Sequence, residues 1–131
     1  MVDHDDVRIN AVGASDIGRK RKSNQDNYHI DTTLGLYAVA DGMGGHDDGE
    51  YASRQSLDVL RKTIEKNAAL NRSKKFASQN ASTLDAEKRS EALQINLARH
   101  VIAGAVRTAN NTIYKQNCRR GYPVGRGMGT T

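Results

Sequence analysis

Apolar and polar positions change their period midway along this chain. Val7, Ile9 and Ala11 alternate with Arg8 and Asn10, which predicts a half-buried strand. From Gly13 to Lys22 only Ala14 and Ile17 are apolar, so a loop follows. Tyr28 and Ile30 alternate again and predict a second short strand. Thr32-Thr33-Leu34-Gly35 reads as a turn into a third strand, Leu36 to Ala40. The third run is the most continuously apolar, which suits a central place in a sheet.

Beyond the glycines the period becomes helical. Leu57, Leu60 and Ile64 recur at steps of three and four, the spacing of an amphipathic helix. Asp47 and Asp48 lie near its start, where acids favour the macrodipole, and the pattern fades near Asn67. Asn71 to Thr83 is rich in Ser, Asn and Lys and reads as an exposed connection, spanning about residues 69–84. Ser82-Thr83-Leu84-Asp85 then offers a hydroxyl cap with an acid three residues on. Ile95, Ala98, Ile102, Val106, Ala109 and Ile113 form a longer helical stripe that ends before Gly121-Tyr122-Pro123. Two helices joined by a loop predict an antiparallel pair laid on the sheet. The glycine-rich segment from Gly121 leads to Met128-Gly129-Thr130-Thr131, whose threonines favour the start of a strand.

Composition narrows the class. A chain of 131 residues is one domain or part of one. With 5% aromatics and no Trp, its core must rest on Ala, Val, Leu and Ile, which is marginal for so short a chain alone. The net charge of +5 fits either a solvated basic surface or attraction to phosphorylated partners. Aromatics do not alternate with the basic residues as a base-stacking surface requires, so nucleic acid is not the expected partner. Cys118 is the only cysteine; it is read as structural, and its isolation fits a reducing compartment. No apolar run approaches the ~20 residues of a membrane span. The acidic start Met1-Val2-Asp3-His4-Asp5-Asp6 lacks the apolar core of a signal peptide, and the expected location is cytoplasmic.

The densest candidate chemistry is Val39-Ala40-Asp41-Gly42-Met43-Gly44-Gly45-His46. Asp41 offers carboxylate oxygens to a hard divalent cation, and Gly42 offers a carbonyl that no side chain blocks. The same Asp-Gly step also closes strands as a simple turn, and spacing alone leaves both readings open. Asp26 could be a second ligand if a strand pair brings the two acids to one rim; it could equally be a turn-forming Asp. Arg21, in Arg19-Lys20-Arg21-Lys22, can hold a phosphate through paired hydrogen bonds. That run also fits a basic surface loop or a localisation signal. His46 is a possible proton carrier or a loop residue, and the loop reading is preferred. Gly42-Met43-Gly44-Gly45-His46-Asp47 falls short of a dinucleotide fingerprint because Asp47 replaces its third glycine. No zinc spacing, calcium loop or nucleophile elbow occurs.

In order, Ser15-Asp16-Ile17-Gly18-Arg19-Lys20-Arg21-Lys22-Ser23-Asn24-Gln25-Asp26, then Val39 to His46 with Gly49-Glu50 and Ala52-Ser53, then Gly127-Met128-Gly129-Thr130-Thr131, resemble the first motifs of the metal-dependent protein phosphatases. These are the type 2C serine/threonine phosphatases, or PPM family, and Met43 is similar to the bacterial branch. The resemblance implies an α+β fold, an αββα sandwich of two antiparallel sheets flanked by helix pairs. Residues 1–131 would form the N-terminal part of one such domain. It implies two Mn²⁺ or Mg²⁺ ions, with Asp26 and Asp41 as ligands, Asp41 bridging, and Gly42 donating its carbonyl. Arg21 would grip the substrate phosphate, and a metal-activated water would hydrolyse phosphoserine and phosphothreonine. Phosphorylated proteins are the implied substrates, and a cognate Ser/Thr kinase a possible partner.

Two departures matter. Gln25 stands where many members carry glutamate. The family's domain is also about twice this length, with further metal-binding aspartates beyond the Met-Gly-Thr-Thr motif. The chain alone is therefore expected to hold metal incompletely, to expose apolar faces and to show little turnover. The alternative reading is a non-catalytic module that docks phosphoproteins or a kinase.

Overall fold

The computed structural model describes residues 9–45, 48–75 and 84–131, with backbone only at 69–75 and 84–91. Two strands come first, β1 (Asp26–Asp31) and β2 (Leu36–Met43). Two long helices follow, α1 (Asp48–Lys75) and α2 (Leu84–Arg119), and then a short strand, β3 (Gly129–Thr130). The fold is α+β, with a three-stranded antiparallel sheet in the order β1-β2-β3. No described helix is long and apolar enough to cross a membrane.

The first hairpin follows from its sequence. Gly35 takes a positive φ of 64°, and the Leu34 amide donates to Asp31 Oδ1 at 2.9 Å, so the turn closes on its own polar groups. β2 is central, as its apolar run predicts, but it does not stop at Ala40. Gly129 and Thr130 pair with Met43 and Gly42 and carry the ladder onward, so Asp41 lies inside a strand and not at its end.

The alternating segment near the N-terminus departs from expectation. Residues 9–17 carry no regular secondary structure, and Val7 and Arg8 lie outside the described residues. Alternation makes a strand only where a ladder partner is present. Here the segment crosses an aromatic ring instead: a Cβ on Gly13 would lie 2.7 Å from Tyr28 Cζ.

α1 seats on the sheet through small residues. Ala52 and Ser53 of α1 are fully buried, and Ala40 of β2 is nearly so. The closest approach is between glycines. A Cβ on Gly42 would lie 2.5 Å from the Gln25 carbonyl oxygen and closer still to that of Gly49. A Cβ on Gly49 would lie 2.5 Å from Gln25 Cδ. Neither position has room for a side chain.

α1 runs to Lys75, well past the expected fading point at Asn67. Lys62–Asp58 at 2.6 Å and Arg61–Glu65 at 2.9 Å flank the apolar stripe with pairs four residues apart, and beyond it Ala68, Ala69, Leu70 and Lys74 are good helix formers. Residues 69–75 of the expected connection are therefore helical, Leu84 already belongs to α2, and residues 76–83 lie outside the described set. The end of α2 meets the start of α1, so the pair is antiparallel. α1 rests on β1 and β2, whereas α2 packs mainly on α1, which corrects the expectation that both lie on the sheet. The apolar stripe of α2 is covered only in part: Ala109 and Ile113 are buried, while Ile95, Ile102 and Val106 stay about half exposed. Cys118, read as structural, is exposed.

The end of α2 is closed in both halves of a Schellman motif. The Gly121 amide donates to the Cys118 carbonyl, the Tyr122 amide donates to that of Asn117, and Gly121 has a φ of 71°. The Asn117 side chain then acts like a strand neighbour. Its Nδ2 donates to the Met128 carbonyl at 2.8 Å, and its Oδ1 accepts the Met128 amide at 3.0 Å. Gly127 makes room for that amide, since a Cβ there would lie 2.5 Å from Asn117 Nδ2. Met128 buries its side chain beside Ala52 and Ile113, which delivers Gly129 and Thr130 to β2.

Gly42→Ala is expected to destabilise the chain by about 3 kcal/mol, at the upper end of overpacking costs because the obstacle is backbone. Gly45→Ala, with open space around its Cβ, is expected to stay within about 0.5 kcal/mol. Urea denaturation of both variants checks the contrast.

Candidate functional site

β1 and β2 place Asp26 and Asp41 opposite each other as Cα partners. The flanking Gly42 amide donates to the Gln25 carbonyl at 3.1 Å, so the aspartates occupy the adjacent non-hydrogen-bonded pair. Directly opposed residues share a face, and their Cβ atoms at such a pair lie about 4.5–5.5 Å apart. Two carboxylates directly across a ladder repel each other. They are also well placed to share a cation.

The backbone under both acids is held firmly. The Asp41 amide donates to the Thr131 carbonyl at 2.9 Å, and its carbonyl accepts the Thr131 amide at 3.0 Å and the Thr130 hydroxyl at 2.8 Å. The Asp26 amide donates to Asn24 Oδ1 at 3.0 Å, and Asn24 Nδ2 donates to Ser15 Oγ at 2.6 Å. Thus one asparagine starts β1 and ties down the base of the preceding loop. Asp26 Oδ1 is buried and has no hydrogen-bond partner. A buried carboxylate oxygen is costly unless a donor or a cation satisfies it.

The opposite face of the sheet supports the pair. Asn27 Nδ2 donates to Ser53 Oγ at 2.8 Å, and the Ser53 hydroxyl lies 2.6 Å from the Gln25 carbonyl, its acceptor. Ser53 therefore joins α1 to the residue just before Asp26. Gln25 sends its Nε2 to the Gly44 carbonyl at 3.2 Å, so it braces the glycine loop. Gly42 lies between Asp41 and the start of α1, and its lack of a side chain is a packing requirement whatever its carbonyl does.

Arg21 is exposed on the loop before β1. Among the described residues no ion pair joins it to Asp26 or Asp41. His46 lies outside the described residues, as does Asp47. Among the described residues no group of three or more His, Cys, Asp or Glu side chains gathers in one place. The two aspartates are thus a pair of hard oxygen donors, suited in kind to Mg²⁺ or Mn²⁺ but too few to complete its shell.

One cluster beside this site had no signal in the linear pattern. Asp48, the first residue of α1, accepts from both Arg120 and Tyr122. The Arg120 guanidinium also stands 4.8 Å from the centre of the Tyr51 ring. This clamp ties the segment after α2 to the start of α1, next to the Gly42–Gly49 contact. Its partners are 72 and 74 residues apart, beyond the reach of any local spacing rule.

No protein-family model matches the chain, and no curated protein matches it either.

Two outcomes follow. Asp41→Asn removes one of two opposed charges and is expected to raise stability in chelator-treated buffer by up to about 1 kcal/mol; a metal-free denaturation curve checks it. Donation to Asp48 pushes the Tyr122 phenol above its ordinary 10.0. The clamp's contribution is accordingly complete at neutral pH and is lost as pH rises through that raised value. In Asp48→Ala the phenolate absorbance of Tyr122 is expected to appear at lower pH.

Proposed function

We propose that this chain carries the first part of the active site of a metal-dependent phosphoprotein phosphatase. The observation that carries the reading is the direct pairing of Asp26 with Asp41, one of them holding a buried, unpartnered carboxylate oxygen. The ordered motifs around Asp26, Asp41 and Thr130 resemble those of the type 2C family, and the αββα sandwich is the architecture that goes with them. The three-stranded sheet with helices on one face is compatible with part of it.

In this reading Asp26 and Asp41, with the Gly42 carbonyl as a further oxygen donor, would hold Mn²⁺ or Mg²⁺. Such ions, when bound, supply Lewis acidity and a reactive water at neutral pH. The chain's own residues do the rest. The β1–β2 ladder fixes the separation of the acids. Asn24 and Ser53 hold the backbone that leads into Asp26. Arg21, exposed and free of carboxylate partners among the described residues, is available to hold a phosphoryl group on phosphoserine or phosphothreonine. Phosphoproteins are the substrates in this reading, within the cytoplasm, and a Ser/Thr kinase that makes them is a fitting partner.

Only two carboxylates meet, so the chain is expected to bind Mn²⁺ weakly and to turn over a phosphothreonine peptide slowly or not at all. Mn²⁺ titration followed by electron paramagnetic resonance tests the site without relying on activity. Asp26→Ala and Asp41→Ala should each weaken binding at least about tenfold, the loss of one charged ligand. Equal Mn²⁺ affinity in the parent chain and both variants would sink the proposal. Phosphopeptide binding that needs Arg21 but neither aspartate would favour a docking module instead.

A further inference from the structure

The loop that leads into β1 is closed at its base. Asn24 Nδ2 donates to Ser15 Oγ at 2.6 Å, which joins the two ends of the segment 15–24. The same side chain accepts the Asp26 amide on its Oδ1 at 3.0 Å, so the base is pinned to one of the two opposed aspartates. Within the loop Asp16 Oδ1 accepts the Gly18 amide at 2.7 Å, and Gly18 turns the chain with a φ of 73°. The turn leads into Arg19, Lys20, Arg21 and Lys22, all of them exposed.

Charge balance sets this loop apart. Arg54 meets Glu50, Arg120 meets Asp48, and Arg61 and Lys62 meet Asp58 and Glu65. None of the loop's cations has a carboxylate partner among the described residues. Consecutive Cα atoms are only about 3.8 Å apart, so these charges repel one another. Asp16, the one acid in the segment, is occupied with the turn. An anionic partner relieves the repulsion. Unlike an apolar face, solvated cations need no covering segment in order to fold. No aromatic residue occurs from Gly13 to Gln25, so the loop offers no platform on which bases stack.

We propose that this loop selects phosphoproteins whose phosphoserine or phosphothreonine is flanked by acidic residues. The inference rests on the phosphatase reading and names its substrate class. Arg21 takes the phosphoryl group. Arg19, Lys20 and Lys22 take carboxylates within about three positions of it, since alternate side chains of an extended peptide lie about 7 Å apart. Lys20 and Lys22 are compact charges on flexible stems, so they tolerate some variation in where the acids fall. The tie between Ser15 and Asn24 keeps the cations beside Asp26, and so makes a selective surface from what would otherwise be a loose basic run.

The probes are two fluorescein-labelled peptides, Glu-Asp-Glu-phosphothreonine-Glu-Asp-Glu and Ala-Gln-Ala-phosphothreonine-Ala-Gln-Ala. Each is added to the whole chain in chelator-treated buffer and followed by fluorescence anisotropy. The acidic peptide should bind about tenfold more tightly, as three exposed ion pairs allow. The advantage should shrink to less than about twofold at roughly 0.5 M salt. Arg19→Gln, Lys20→Gln and Lys22→Gln combined, with Arg21 kept, should abolish it and leave helical circular dichroism unchanged. Ser15→Ala keeps every charge but opens the base, and should reduce the preference about threefold, the worth of one hydrogen bond. The proposal fails if the two peptides bind the parent chain equally, or if the preference survives the combined change. It fails too if Ser15→Ala has no effect, which would reduce the preference to net charge, or if a single-stranded oligonucleotide of equal charge binds more tightly than the acidic peptide. Should Ser15→Ala not fold, the combined change at exposed positions carries the test. Mn²⁺ titration scores the phosphatase reading separately: acidic preference without binding of Mn²⁺ supports the loop and sinks that reading, and Mn²⁺ binding without acidic preference does the reverse.

Discussion

The contact between Gly42 and Gly49 is the constraint on which the remaining arrangement rests. Two backbones meet where neither can carry a side chain. That approach brings the first turn of α1 against the sheet and puts Ser53, one turn later, under the Gln25 carbonyl. It also sets where Asp48 stands, and so where Arg120 and Tyr122 can close on it. The glycines of the Asp-Gly-Met-Gly-Gly segment therefore have a packing explanation that is independent of any ligand.

The sheet divides its labour by face. The side towards α1 carries small and amide side chains that lock the layers together. The other side carries the two aspartates, with Tyr28, Tyr37, Val39 and Met43 all exposed around them. Opposed carboxylates on an otherwise apolar surface are unfavourable for folding alone. Their placement runs against the preference of the sheet, and the hydrogen bonds beneath both residues hold them there.

Much of this was legible in the linear pattern, and the failures have physical causes. Tyr28 with Ile30, and the run from Leu36, announced the hairpin because alternation and a turn occur together. The helices announced themselves through steps of three and four. The extent of β2 was hidden because the segment that prolongs it comes from residues 129 and 130, far along the chain. Ile9 to Ala11 misled because alternation says nothing about whether a partner exists. α1 outran its stripe because Ala68, Ala69, Leu70 and Lys74 favour helix without marking any apolar period. At the candidate site, Asp26 and Asp41 were visible as residue types but their pairing was not certain until the register was known. Ser53 and Asn117 had no local mark, since each acts on a backbone group distant in sequence or across layers.

The length of α1 has a consequence of its own. Its 28 residues extend about 42 Å at 1.5 Å per residue, whereas the eight residues of β2 reach only about 27 Å. The glycine contact lies at the end of β2 and the start of α1, and the helix is longer than the strand it meets. The carboxylates sit beside that contact and Lys75 at the helix's far tip. Sequence drift, insertions or a fused reporter at the tip would be mechanically remote from the acids, which leaves that end of the molecule open to diversify without disturbing them.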